Sequence, residues 1–170
     1  ILKKISQKQI IEDKFMSAVK LEDLLVEILR SFMETSEKNI KLKTNNDNNK
    51  IDIKRSPEII YGLRNFIGNA VKFSKNKVEV EIESNNNSVI ISINDDGPGF
   101  PEDVIKLLGE PYIKSKSKEI NNKSGLGLGT FLGKTLLERQ GAKLSFSKGV
   151  KHNGALVEIY WDVKNLISSS

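Results

Sequence analysis

Apolar residues recur at Leu21, Leu24, Leu25, Ile28, Leu29 and Phe32, three and four positions apart, so the chain predicts a helix over Lys20 to Glu34 with one buried face. Ile1 to Ile11 reads as the last turns of a helix arriving from an upstream part. Ile40 to Lys43 and Lys50 to Lys54 are short strand candidates, and the polar run Thr44 to Lys50, centred on Asn-Asn-Asp-Asn-Asn, predicts a hairpin turn between them. Ser56-Pro57-Glu58 supplies a capping hydroxyl, a proline suited to the first turn and an acid at the positive dipole end, which predicts a helix from there to about Phe73.

Alternation returns at Lys77 to Glu83, where Val78, Val80 and Ile82 alternate with Glu79, Glu81 and Glu83. After Asn85-Asn86-Asn87 the apolar stretch Val89 to Ile93 predicts the antiparallel partner strand. Pro101 to Leu108 suits a short helix, Glu110 to Ser124 is a long polar stretch, and Leu126 to Gln140 is helical again. Lys143 to Ser147 and Ala155 to Trp161 close as strands around a turn at Gly149 to Gly154. One domain is expected over 15–165, after an upstream helix or linker at 1–14 and before a tail at 166–170.

With 170 residues and 38% hydrophobic content, the chain is long enough for one full core, and no apolar run approaches the ~20 residues of a membrane span. The absence of Cys removes disulfides, thiolate metal sites and a cysteine nucleophile. A net charge of +5 raises nucleic acid as a partner, but Lys dominates, only Arg30, Arg55, Arg64 and Arg139 are arginines, and acids are interleaved with the bases, so no nucleic-acid partner is expected.

Three segments carry chemistry. On the helix from Pro57, Asn65, Asn69 and Lys72 fall on one face. Amide oxygens suit Mg²⁺, which takes few protein ligands beside substrate phosphates, and Lys72 can offset phosphate charge. A solvated polar stripe would have the same spacing. Asp95 ends an apolar strand, where a carboxylate can be desolvated and accept from the exocyclic amine of adenine, while Gly97 and Gly99 allow close backbone approach. Taken alone, Asp95-Asp96-Gly97-Pro98-Gly99 also reads as a plain turn. Gly125-Leu126-Gly127-Leu128-Gly129, followed by Thr130, leads into a helix whose free amides and dipole point to where phosphates would lie. Gly133-Lys134-Thr135 resembles the end of a P-loop, but Leu128 stands where that motif needs glycine, and Thr130 occupies the third glycine of a dinucleotide fingerprint.

In order, spacing and context these motifs resemble the GHKL ATPase superfamily, specifically the catalytic ATP-binding domain of bacterial sensor histidine kinases, over about Leu21 to Trp161. Gly-Glu-Pro-Tyr at 109–112, Lys-Thr-Leu-Leu-Glu-Arg-Gln-Gly-Ala at 134–142 and Gly-Ala-Leu-Val-Glu-Ile-Tyr-Trp at 154–161 are most similar to the RegB/PrrB redox-responsive kinases. The resemblance implies an α/β (α+β) two-layer sandwich of the Bergerat type, a mixed sheet with helices on one face. It implies ATP and Mg²⁺ as cofactors, with Asn69 as the metal ligand, Asn65 its neighbour, Asp95 the adenine reader, Phe73 packed near the base and Glu110 to Ser124 the ATP lid. Thr130 replaces a leucine common at that place in the family, a change expected to alter lid packing.

The resemblance further implies γ-phosphoryl transfer to a histidine on the protein's own upstream dimerisation domain, a response-regulator partner, a homodimeric parent and a cytoplasmic location beneath a bacterial inner-membrane anchor, with no membrane contact from this domain itself. His152, the single histidine, sits in a Lys-His-Asn-Gly turn and reads as a plain surface residue, so the phosphoacceptor is expected outside this chain. Position 65 discriminates on chemical grounds: a glutamate there would activate water, whereas the amide of Asn65 cannot act as a general base. A hydrolytic GHKL ATPase and a nucleotide-sensing pseudo-kinase module stand as the alternatives.

Overall fold

The computed structural model describes residues 18–46, 51–109 and 127–167. The elements run β1 (Ala18–Lys20), α1 (Leu21–Met33), β2 (Asn39–Asn46), β3 (Asp52–Lys54), α2 (Pro57–Phe73), β4 (Lys77–Ser84), β5 (Ser88–Asp95), α3 (Glu102–Leu108), α4 (Gly127–Arg139), β6 (Lys143–Lys148), β7 (Ala155–Asp162) and α5 (Val163–Ile167). Five strands form one sheet in the order β2-β4-β5-β7-β6, with β2 and β6 at its edges. Pairing is antiparallel except between β2 and β4, so the sheet is mixed, as expected.

The period-2 pattern decides which side of the sheet is core. Val78, Val80 and Ile82 of β4, Val89, Ile91 and Ile93 of β5, and Val157, Ile159 and Trp161 of β7 are buried on one face. Leu24, Leu25, Ile28 and Leu29 of α1 and Leu63, Phe66, Ile67 and Ala70 of α2 meet them from the helical layer. The helical spacing at Leu21 to Leu29 therefore marks core. Phe32, at the end of that stripe, is only half-buried, and the Arg64 guanidinium lies 5.2 Å from its ring centroid.

The expected hairpin between Ile40–Lys43 and Lys50–Lys54 does not form. All eight residues of β2 pair in parallel with β4, from Asn39↔Lys77 to Asn46↔Ser84, and α2 lies within the crossover that a parallel pair requires. The three residues of β3 pair instead with β1, with Ala18 opposite Lys54. Local alternation marked both strands correctly, but the partner is chosen by burial. In parallel register Ile40 becomes 6% exposed and stands opposite buried Val78.

Two short elements escape the hydrophobic pattern. β1 is too short to show alternation, and α5 lies where a tail was expected to begin, yet Leu166 is 3% exposed and belongs to the core. The expected helix at Ile1 to Ile11 lies outside the described residues, as do 47–50 of the polar run. Among the described residues no helix is long and apolar enough to cross a membrane.

Candidate functional site

Helix α2 starts and stops on side chains. Ser56 Oγ accepts from Ile59 N at 3.5 Å, and Pro57 fills the first turn. At the other end, Lys38 Nζ donates to the carbonyls of Val71 (2.7 Å) and Ser74 (2.6 Å), placing a cation on the negative dipole end. The helix lies close against α4: a Cβ on Gly62 would come within 2.5 Å of Leu137 Cγ. That approach brings Asn65 and Asn69 to the start of α4. Asn69 Nδ2 donates to Thr130 Oγ1 at 3.0 Å and to Asn65 Oδ1 at 3.4 Å. Asn65 in turn packs on Gly129, where a Cβ would stand 2.7 Å from its Nδ2.

Asp95 closes β5 opposite Val78 and is 4% exposed. Its Oδ1 accepts from Gly97 N (2.8 Å) and Ala155 N (3.3 Å). Burial pushes its carboxyl above the usual carboxylate range, and these two amides only partly offset the desolvation. Both bonds fall on Oδ1, so among the described residues Oδ2 is the acceptor available to a ligand.

These groups surround an open-mouthed cavity of about 220 Å³. Of the residues singled out in the sequence, Asn69, Phe73, Asp95, Gly99 and Thr130 line it. Asn65 stands one layer behind Asn69. Lys72 is exposed and does not line the cavity; its ammonium lies 5.2 Å from the Phe73 ring centroid. Gly97 does not line the cavity; a Cβ there would meet Phe73 O at 2.3 Å, so the turn passes close to the end of α2. Gly127 and Leu128 open α4, while Gly125, Leu126 and the expected lid at Glu110 to Ser124 lie outside the described residues. His152 is not a plain surface residue: its Nε2 is buried, without a hydrogen-bond partner among the described residues, 3.6 Å from Glu79 Oε2.

Sequence reasoning missed the apolar walls. Phe66 and Phe100 line the cavity and both pack on Phe146 of β6, with ring centroids 5.8 and 6.1 Å away. No local signal joins these three, because they meet only when β6 returns beside β7. Asp96 was also missed. Its Oδ1 accepts from the amides of Lys75 (2.8 Å), Asn76 (3.0 Å) and Lys77 (3.1 Å), fastening the α2–β4 turn beside the site.

Desolvation opposes ionisation of Asp96, but the amides of Asn76, Lys77 and Lys75 together outweigh it and lower its pKa. The stability it contributes is therefore present above the usual carboxylate range and lost as pH falls through the lowered value. Asp96→Asn is expected to cost about 1–2 kcal/mol at pH 7, after discounting for solvent screening. Thermal melts over a pH series should show the gap to wild type narrowing below about pH 4; a gap constant with pH would contradict this account.

The donor set suits a phosphate-bound Mg²⁺ more than a free ion. Asn69 offers one neutral oxygen, and the described residues contain no cluster of three or more His, Cys, Asp or Glu. A hard cation there would depend on substrate oxygens and water for its remaining ligands. An adenine fits the rest: an apolar slot with one desolvated carboxylate.

Residues 55–165 match the family described as histidine kinase-, DNA gyrase B-, and HSP90-like ATPases. Sensor histidine kinase RegB of Cereibacter sphaeroides is 38% identical over 130 residues, covering 68% of this chain and 28% of that protein. Sensor histidine kinase YkoH of Bacillus subtilis is 27% identical over 146 residues, covering 83% of this chain and 32% of that protein. The chain thus spans about a third or less of these relatives. Among solved structures, the catalytic domain of histidine kinase ThkA superposes with a TM-score of 0.68 at 21% identity, covering 86% of this chain and 97% of that one. Full-length ShkA in complex with AMPPNP superposes with a TM-score of 0.67 at 22% identity, covering 86% of this chain and 30% of that one.

Proposed function

The chain belongs to the histidine kinase-, DNA gyrase B-, and HSP90-like ATPase family, and on that footing we propose that it is the catalytic ATP-binding domain of a two-component sensor histidine kinase, transferring the γ-phosphoryl group of Mg·ATP to a histidine on an upstream dimerisation domain. One observation carries the choice of transfer over hydrolysis. Asp95 is the only acid among the described residues lining the cavity, and position 65, beside the start of α4, holds an amide. A carboxylate reading the base at one end and amides at the other leave no general base for water among the described residues, whereas imidazole attacks with its own lone pair.

The residues divide the work. Asp95 accepts from the exocyclic amine, Phe73 and Phe66 wall the ring, and Asn69 presents its oxygen to the phosphate-bound Mg²⁺. The amides opening α4 face the phosphates. When bound, the cation would neutralise charge on the phosphate oxygens, and positioning supplies most of the rest. The proposal includes a homodimeric parent, a response-regulator partner and a cytoplasmic position beneath a membrane anchor. It is supported by the sensor kinases to which the chain is similar.

The test is label transfer. The domain is mixed with a separately produced helical hairpin carrying the parent's histidine and with γ-labelled ATP. Acid-labile label is expected on the hairpin, none on the domain alone, and none with Asn69→Ala. Steady phosphate release by the isolated domain would favour a hydrolytic ATPase instead, and tight Mg·ATP binding without transfer would favour a nucleotide sensor.

A further inference from the structure

Thr130 was expected to change lid packing; the lid lies outside the described residues, and within them the Thr130 hydroxyl meets Asn69. The threonine lies in the first turn of α4, is 1% exposed, lines the cavity and accepts from Asn69 Nδ2 at 3.0 Å. A primary amide has two N–H donors and one carbonyl oxygen. Asn69 directs one donor to Thr130 and the other to Asn65 Oδ1 at 3.4 Å, so its own Oδ1 is the atom left for the cavity.

The amide sense follows from this network. Rotated by half a turn, Asn69 would set its oxygen against the oxygen of Asn65. Asn65 is itself held, because Gly129 and Gly133 of α4 close on its side chain, leaving a Cβ only 2.7 and 3.3 Å from its nearest atoms. Asn65 on the same helix and Thr130 on α4 thus fix which atom of Asn69 meets a ligand.

We propose that Thr130 is a positioning residue that holds the Asn69 carbonyl oxygen toward a divalent cation, so that the seating of α4 on α2 governs the cation dependence of nucleotide binding. The inference rests on the ATP-binding reading above and adds to it a mechanical link between the helix that faces the phosphates and the amide that faces the metal. Groups that orient a metal ligand typically change metal affinity by about 10–100-fold. A residue that merely fills space would weaken binding equally with and without metal.

The experiment is calorimetric titration of a non-hydrolysable ATP analogue into wild type, Thr130→Val and Thr130→Ser, in EDTA and in Mg²⁺. Thr130→Val replaces the hydroxyl by a methyl of similar size; if it melts below the assay temperature, Thr130→Ala is titrated in its place. Wild type should bind more tightly in Mg²⁺. The valine variant should lose about tenfold more affinity in Mg²⁺ than in EDTA, and serine should restore the Mg²⁺-dependent gain. A full Mg²⁺ gain in Thr130→Val, or equal losses in both buffers, overturns the positioning role while leaving ATP binding intact. Wild type that binds no nucleotide in either buffer overturns the functional reading and this inference together.

Discussion

Asp95→Asn is expected to lose about 100-fold or more in nucleotide affinity while melting no lower than wild type at pH 7. The substitution keeps Oδ1, which can still accept from Gly97 and Ala155, and changes Oδ2 into a donor. That donor would face the exocyclic amine of adenine, also a donor. Losing a hydrogen bond to a charged acceptor and leaving two donors opposed costs about 3 kcal/mol, or roughly 100-fold.

The stability half follows from sign. Burial raises the pKa of Asp95 in the folded chain. A raised carboxyl gives stability that is fully present below the ordinary carboxylate range and is lost as pH rises through the folded value. At neutral pH the empty domain therefore carries the cost of a desolvated charge, and the neutral amide removes it. Titration calorimetry and thermal melts, run on the same samples, check both halves. Unchanged affinity would discredit the adenine assignment, and a large drop in melting temperature would show that the carboxylate serves the fold.

Gly154→Ala is expected to be strongly damaging despite its small size. A Cβ at Gly154 would stand 2.0 Å from the carbonyl oxygen of Asp95 and 2.5 Å from its Oδ1. Neither atom can yield, because Asp95 ends a central strand and Ala155 N and Gly97 N hold its carboxyl. Overpacking against such atoms costs about 3 kcal/mol or more. For a domain of this size that is about 10 °C in melting temperature at 2–4 °C per kcal/mol. Nucleotide binding should fall with it, because the strand end must shift. Gly99→Ala is the informative contrast: its nearest neighbour would be 3.5 Å away, so only the positive φ of +78° is penalised, at about 1 kcal/mol. If both variants melt alike, steric contact with Asp95 is not the cause.

How much was legible depends on the range of each signal. The face of α2 bearing Asn65 and Asn69, the strand ending in Asp95 and the helix after the glycine segment are local patterns, and the structure brings them to one cavity. Their ligand assignments remain what the proposed experiments address. The partner of β2 was not legible, since two short alternating strands flanking a polar run look the same whether they pair with each other or with strands elsewhere. The contacts of Asp96 were hidden for a different reason. Its partners are backbone amides about 20 residues away, and backbone carries no sequence signal. Thr130 is the intermediate case: its position was noticed, but the direction of its hydroxyl was settled only by the packing of α4 on α2.

The two outermost strands have a further consequence. Lys41 and Lys43 on β2, and Lys143 and Lys148 on β6, are exposed, whereas the acids Glu79, Glu81 and Glu158 sit on inner strands. Among the described residues no strand pairs with the outer side of β2 or β6, and charged side chains such as Lys41 on β2 discourage a neighbouring molecule from adding its own strand there. Two copies meeting rim to rim would bring these lysines together, which opposes self-association into ribbons.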